Sequence, residues 1–266
     1  MNTKIVAILM AGIVAMAVGV PMALGDNADT SASVNNLAPD VTISTISPDP
    51  ATPTCTVTVS GTLSDPNGID DVSTLTYVVK KPDASTYTSG SATVAASWNF
   101  QFNLGMDTVP GTWTVEVTAT DAGSLSDTDS KTFVVNEVVA FSIDFNAVSY
   151  GAINPGSSSS VPGNATMETV GPAPPVKPTI KNDGNAAMDV EMSIADGGSN
   201  PETLFDGNTA ATVGTVGPQT LTSATSTFDV DIAADATAKI DTTLSVPTGT
   251  LPGSYAGTLT VTGISG

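Results

Sequence analysis

The stretch "GTWTVEVTATDAGSLSDTDSKTFVV", residues 111–135, decides the fold. In "GTWTVEVTATD" (111–121), Trp113, Val115, Val117 and Ala119 take every second place, with Thr and Glu between them. Successive side chains of a strand point to opposite faces, so this alternation buries one face and leaves the other in water. "KTFVVNE" (131–137) repeats the pattern with Phe133 and Val135. Toward the N-terminus the same period recurs in "VTISTIS" (41–47, with Val41, Ile43 and Ile46) and "CTVTVSGTL" (55–63, with Cys55, Val57, Val59 and Leu63). It returns in "STLTYVVKK" (73–81, with Leu75, Tyr77 and Val79) and "SWNFQFNL" (97–104, with Trp98, Phe100, Phe102 and Leu104). Alternating segments bounded by Pro, Gly, Asp and Asn are strands. Six or seven of them in about a hundred residues describe an antiparallel sandwich.

A second set begins at once. "EVVAF" (137–141) runs into a strand carrying Phe141, Ile143 and Phe145, followed by a Ser/Gly/Pro-rich loop and the bend "GPAPPVKP". "TIKNDGNAAMDVEMSIA" predicts a β-hairpin, because Asn182-Asp183-Gly184-Asn185 lies between two β-rich runs and Asp-Gly suits a turn needing positive φ. "STFDVDIA" (226–233), "TAKIDTTLSV" (237–246) and "SYAGTLTVTGI" (254–264) follow. The two sets do not align with each other, so they are different sandwiches and not a duplicated repeat. The expected fold is all-β: two tandem antiparallel β-sandwiches, residues 39–137 and 138–266, after an N-terminal signal helix.

That helix is "MNTKIVAILMAGIVAMAVGVPMALG" (1–25): Lys4, an apolar run, Pro21, and small residues before a cut after Gly25. This is the layout of a secretory signal peptide. An uncleaved anchor is the rival reading, since Ile5 to Gly25 would measure about 30 Å as a helix; Pro21 and the cleavage pattern favour removal. No cysteine stands near the cut to take a lipid. "DNADTSASVNNLA" (26–38) is polar and aperiodic, a flexible leader. No apolar tail follows the last strand, so no C-terminal anchor is expected.

Composition excludes much of chemistry. The 266 residues carry a net charge of −19, no His, one Cys, and seven basic residues, all of them Lys. Without Arg or basic clusters, phosphate and nucleic acid have no grip, and an acidic chain is repelled by anionic lipid. Without His, a Ser-His-Asp or Cys-His machine cannot be built, and one Cys cannot make a thiolate zinc site. Cys55 has no internal disulfide partner; a buried free thiol and an intermolecular disulfide are its two readings.

"GTLSDPNGIDDVSTLTYVV" together with "VPGTWTVEVTATDAGSLSDTDSKTFVV" resembles the polycystic-kidney-disease-type and cadherin-like families of extracellular immunoglobulin-like modules, over residues 39–136. "IKNDGNAAMDVEM" and "LPGSYAGTLTVTG" resemble a loose group of prokaryotic surface sandwiches, among them archaeal cell-envelope proteins and biofilm-matrix fibre subunits. The resemblance implies a spacer, an adhesive unit or a carbohydrate-binding accessory. Secretion to the cell surface and a non-catalytic structural or adhesive role are therefore expected. The partners would be envelope or matrix proteins, further copies of the chain, or glycans, with neither nucleic acid nor membrane after cleavage. Strand donation into a neighbour's sheet is a route to a polymer, although the polar leader argues against donation from the N-terminus. The alternative is a carbohydrate- or calcium-binding module.

Four sites follow from the residues. "SDPNGIDD" (64–71) is first a turn, with Pro66 fixing φ and Gly68 taking positive φ. It is second a calcium loop, in which Asp65, Asn67, Asp70 and Asp71 supply oxygens and Asp121, Asp127 and Asp129 complete the set from the same end of the sandwich. No other cofactor is expected. Trp98 and Trp113 share the alternation of their apolar neighbours and belong to the core, whereas Tyr87, Tyr150 and Tyr255 sit near turns and are candidates for exposed contact. Asn164 in "NAT" is a glycosylation sequon in a Ser/Gly/Pro-rich loop.

Overall fold

The computed structural model describes residues 31–169, 177–197 and 203–266. The expected signal segment and the first five residues of the leader lie outside the described residues. The first set of strands is β1 (Asp40–Ser47), β2 (Thr56–Ser64), β3 (Val72–Lys80), β4 (Thr86–Ser91), β5 (Ser97–Asn103), β6 (Gly111–Asp121) and β7 (Ser126–Val135). They form two antiparallel sheets, β1-β2-β5 and β4-β3-β6-β7. The alternation read from the sequence is the burial observed: along β6, Trp113, Val115, Val117 and Ala119 are all fully buried. Trp98 and Trp113 are core residues, at 3% and 0% exposure. Trp98 lies opposite Gly61 in the β2–β5 pair. A Cβ at Gly61 would run into the Trp98 ring and the Thr42 carbonyl, so the glycine makes room for the indole.

The second set comprises β8 (Phe141–Ile143), β9 (Ser158–Val161), β10 (Thr179–Asn182), β11 (Met188–Gly197), β12 (Thr209–Val213), β13 (Val216–Leu221), β14 (Ser226–Ile232), β15 (Thr237–Ser245) and β16 (Ala256–Ser265). One sheet runs β13-β12-β15-β10-β8, with β9 also paired to β15, and the other runs β14-β11-β16. Val190, Met192, Phe228 and Ile240 fill a core separate from that of the first set. The chain is thus all-β, with antiparallel sheets packed in pairs.

Several expectations change. The predicted hairpin at 182–185 does not form. β10 pairs with β8 and β15, and β11 pairs with β14 and β16, so the chain crosses from one sheet to the other at this point. Gly184 does not take positive φ. Its role is close approach, since a Cβ there would strike the Val138 carbonyl. Asn182 closes the crossover. Its side-chain amide donates to the carbonyls of Ala186 and Ile232, both at 2.7 Å, and its Oδ1 accepts the Gly184 N–H at 2.8 Å. Asn185 ties the two sets together. Its Nδ2 donates to the carbonyls of Thr108 and Asn136, and its Oδ1 accepts the Val138 N–H at 2.7 Å. A turn motif has become a joint.

Tyr87 lies in a strand missing from the sequence reading, β4, and is half-buried. Its ring meets Trp113 edge-on at 5.0 Å and its hydroxyl donates to the Asn103 carbonyl. The end of the leader is engaged: Asn36 donates to Asp121, and the Leu37 N–H to Asn67 Oδ1.

Candidate functional site

The loop after β2 is built as the turn that Pro66 and Gly68 dictate. The Gly68 N–H donates to the Asp65 carbonyl, Gly68 has φ of 111°, and Asp65 Oδ1 accepts the Asn67 N–H at 2.6 Å. A short 3-10 turn, Ile69–Asp71, then leads into β3. The Asp71 carbonyl accepts the Ala122 N–H at 2.8 Å, which fastens this loop to the β6–β7 turn. That turn is itself organised by Asp121, whose Oδ1 accepts the Leu125 N–H and whose Oδ2 accepts the Asn36 side-chain amide.

The consequence is a three-carboxylate cluster. One oxygen each from Asp65, Asp71 and Asp121 lie within 4.8 Å of one another. Asp121 is 2% exposed. Asp65 Oδ2 is buried and has no hydrogen-bond partner. None of the described ion pairs reaches these three groups; the lysines that form pairs, Lys80, Lys181 and Lys239, are engaged elsewhere.

Of the seven predicted ligands the fold brings together these three. Asp70 points to solvent, and exposed Asn67 is occupied by the Leu37 N–H. Asp127 and Asp129 do not join. β7 begins at Ser126, five residues earlier than the alternation of apolar residues indicates, so both have already left the loop. They reach across to β1 instead, where Asp127 Oδ2 accepts the Val41 N–H at 2.9 Å and Asp129 Oδ2 accepts the Ile43 N–H at 2.6 Å. Lys131 adds a third tie, from its Nζ to the Ser44 carbonyl.

A second acidic group, Asp189, Asp229 and Asp231, lies on β11 and β14. Asp189 accepts the N–H groups of Val230 and Asp231, at the irregularity in the β11–β14 pairing. Its carboxylate stands in for lost ladder bonds. Asn164 is half-buried, and its carboxamide is held at both ends: Nδ2 donates to Glu168, and Oδ1 accepts from the Thr179 hydroxyl and the Thr166 N–H. Cys55 is half-buried and unpaired.

Tyr150 and Tyr255, far apart in the chain, line the same cavities. With Phe205 they line a cavity of ≈ 710 Å³ between the loops 148–155 and 250–255 and a neighbouring one of ≈ 520 Å³ that runs along β16. Burial raises the Tyr150 phenol above the ordinary tyrosine range. No described residue lining either cavity is charged. Among the described residues no helix is long and apolar enough to cross a membrane.

No protein-family model and no curated protein matches this sequence. Among solved structures it is similar to carbohydrate-binding modules of the β-sandwich superfamily, at 14% identity over 86% of this chain and 97% of the other, with a TM-score of 0.32. It is similar to a tetra-tandem repeat from the extending region of a large adhesion protein, at 14% identity over 85% of this chain and 49% of the other, with a TM-score of 0.37. It is also similar to Escherichia coli α2-macroglobulin, at 11% identity over 84% of this chain and 12% of the other, with a TM-score of 0.31.

Proposed function

We propose that this chain is an exported, non-catalytic structural or adhesive protein of a cell surface or extracellular matrix, and that its first sandwich takes a calcium ion at Asp65, Asp71 and Asp121. The observation that carries the ion is Asp65 Oδ2, buried without a partner among two further carboxylates. Two like charges 4 Å apart near a surface repel by about 4 kcal/mol. A hard divalent cation removes that cost and takes carboxylate oxygens by preference. Bound there, it would clamp the β2–β3 loop to the β6–β7 turn, beside the point where Asn36 enters the fold. Rigidity at the entry of the leader suits a spacer or adhesive unit. The non-catalytic reading is supported by the absence of His and Arg and by cavities lined without charge.

Thermal unfolding with and without calcium tests the ion. At about a hundredfold excess over the dissociation constant the stabilisation is about 2.7 kcal/mol. The melting temperature should rise in the wild type and in Asp70→Asn, and stay fixed in Asp71→Asn. No rise in the wild type, or an undiminished rise in Asp71→Asn, overturns the site.

A second reading, a glycan-binding module, is favoured by the half-buried Tyr150 and Tyr255 beside an uncharged cavity. Aromatic faces with neutral polar neighbours suit sugars better than ions. A glycan array on which Tyr255→Ala loses the wild-type signal would support it, and a blank array would remove it.

A further inference from the structure

The inner face of β12 and β15 carries two hydroxyls that the fold does not use. Thr209 and Thr242 are 0% and 1% exposed, and neither Oγ1 has a hydrogen-bond partner. Asp144, Thr179 and Asn182, buried as deeply in the same sandwich, are all bonded. A buried hydroxyl without a partner is costly, and valine offers the same shape without that cost.

Both hydroxyls stand at the larger cavity. Thr209 lies opposite Leu244 in the β12–β15 pair, so the two side chains share a face, and Thr242 comes two residues before Leu244 on that same face. Leu244 lines the cavity of ≈ 710 Å³, with Leu204 and Val246 beside it and the rings of Tyr150, Phe205 and Tyr255 packed against them. The Thr209 N–H donates to the Phe205 carbonyl at 3.1 Å, which brings that wall against the floor. Thr242 faces Tyr150: burial raises the phenol and the nearby Thr242 hydroxyl pulls it part of the way back, yet the two stop short of hydrogen-bond geometry. The walls are fixed in advance. Asp196 accepts the N–H groups of Leu204 and Phe205, and the Tyr255 hydroxyl donates to the Leu251 carbonyl. Val148, Tyr150, Phe205 and Tyr255 also line the cavity of ≈ 520 Å³, so the two cavities adjoin.

We infer that Thr209 and Thr242 form the polar floor of a site for a neutral oligosaccharide, one sugar unit seated on them in the larger cavity and the glycan continuing into the smaller. This rests on the glycan reading of the second sandwich, and adds the class of glycan and the two residues that select it. Elimination chooses the ligand. A purely apolar ligand would suit the walls and leave both hydroxyls unpaired. A charged sugar would lose its hydration where no described lining residue offers a counter-charge, in the field of a chain carrying −19. A neutral sugar brings hydroxyls that both donate and accept, and an apolar ring face for the tyrosines. An apolar cavity with a few placed polar groups is the usual form of such a site.

Calorimetric titration of the full chain tests it, after an array of neutral, uronate-bearing and sialylated glycans has supplied the strongest neutral binder as the probe. Thr209→Val and Thr242→Val should each weaken binding of that probe about tenfold. Without sugar, their melting temperatures should stay level or rise, because valine removes an unpaired hydroxyl at constant shape. Thr209→Ser and Thr242→Ser, which keep the hydroxyl, should retain most of the affinity. A blank array overturns the glycan reading and this inference together. Undiminished binding in the double valine variant overturns the inference alone, and so does binding of acidic glycans as tight as that of neutral ones. A fall in melting temperature in both valine variants would give the hydroxyls to the fold and also overturn it. Uptake of 1-octanol with no glycan bound overturns it in favour of an apolar occupant.

Discussion

In the first sandwich, β1 faces Asp127 and Asp129, whose carboxylates accept the N–H groups of Val41 and Ile43, and Lys131 closes on the Ser44 carbonyl. In the second, β16 also stands at the edge of its sheet, and among the described residues no carboxylate closes on it in this way. The difference shows where the acids of a −19 chain go. Asp121, Asp127, Asp129, Asp144, Asp189 and Asp196 each accept backbone N–H groups. A carboxylate is a strong acceptor for an orphaned N–H, so these residues finish the backbone where the ladders stop. None of these bonds goes to the outer edge of β16.

The largest effect should come from breaking the second sandwich at its crossover. Asn182→Ala leaves the carbonyls of Ala186 and Ile232 and the Gly184 N–H without this partner, the last two bonds buried and the first partly so. We expect a loss of about 3 kcal/mol. Denaturant unfolding should move the transition reported by the second sandwich and leave unmoved the tryptophan signal, since Trp98 and Trp113 both lie in the first. Coincident shifts of both signals would show that the Asn185 joint makes one cooperative unit of the two.

A middle effect should follow from making the first edge resemble the second. Asp127→Ala with Asp129→Ala frees two N–H groups at a partly exposed edge, for a cost of about 1–2 kcal/mol. Asp127→Asn with Asp129→Asn should recover most of it, because the amide oxygen still accepts. Thermal melts rank the three proteins. If the guard is what keeps β1 from pairing, the alanine variant should also gain a salt-promoted self-association in the centrifuge.

Much of this architecture was legible as period-two alternation, which works wherever one face of a strand is buried. It failed where the strand is polar on both faces. Ser158–Val161 reads as a loop, yet it pairs with β15 through bonds such as Ser160 to Thr243. The same holds for the polar first half of β7, and that misplacement put Asp127 and Asp129 among the expected completing ligands for calcium. Asp65, Asp71 and Asp121 were within reach because a turn and its neighbouring loop share one end of a sandwich. The "NDGN" motif was misread for a different reason. Local turn chemistry cannot tell a hairpin from a crossover, since which strands pair on either side is decided by long-range packing. The meeting of Tyr150, Phe205 and Tyr255 had no local signal at all.

The smallest effect concerns Asp196, at the end of β11 near the open side of the second sandwich. Burial alone would raise its carboxyl, but the N–H groups of Phe205, Asp206 and Leu204 outweigh burial and hold it below the ordinary 3.8. A carboxyl lowered in the folded state binds its proton first in the unfolded chain. Its contribution is therefore fully present above about pH 4–5 and is lost as pH falls below 3.8 through the folded value. Melting curves taken down to about pH 2.5 should show the second sandwich weakening over that window. Asp196→Asn should flatten this part of the profile at the expense of a slightly lower melting temperature at neutral pH, because an amide oxygen accepts these three donors less strongly than a carboxylate does. An unchanged acid limb in Asp196→Asn would overturn the assignment of this loss to Asp196.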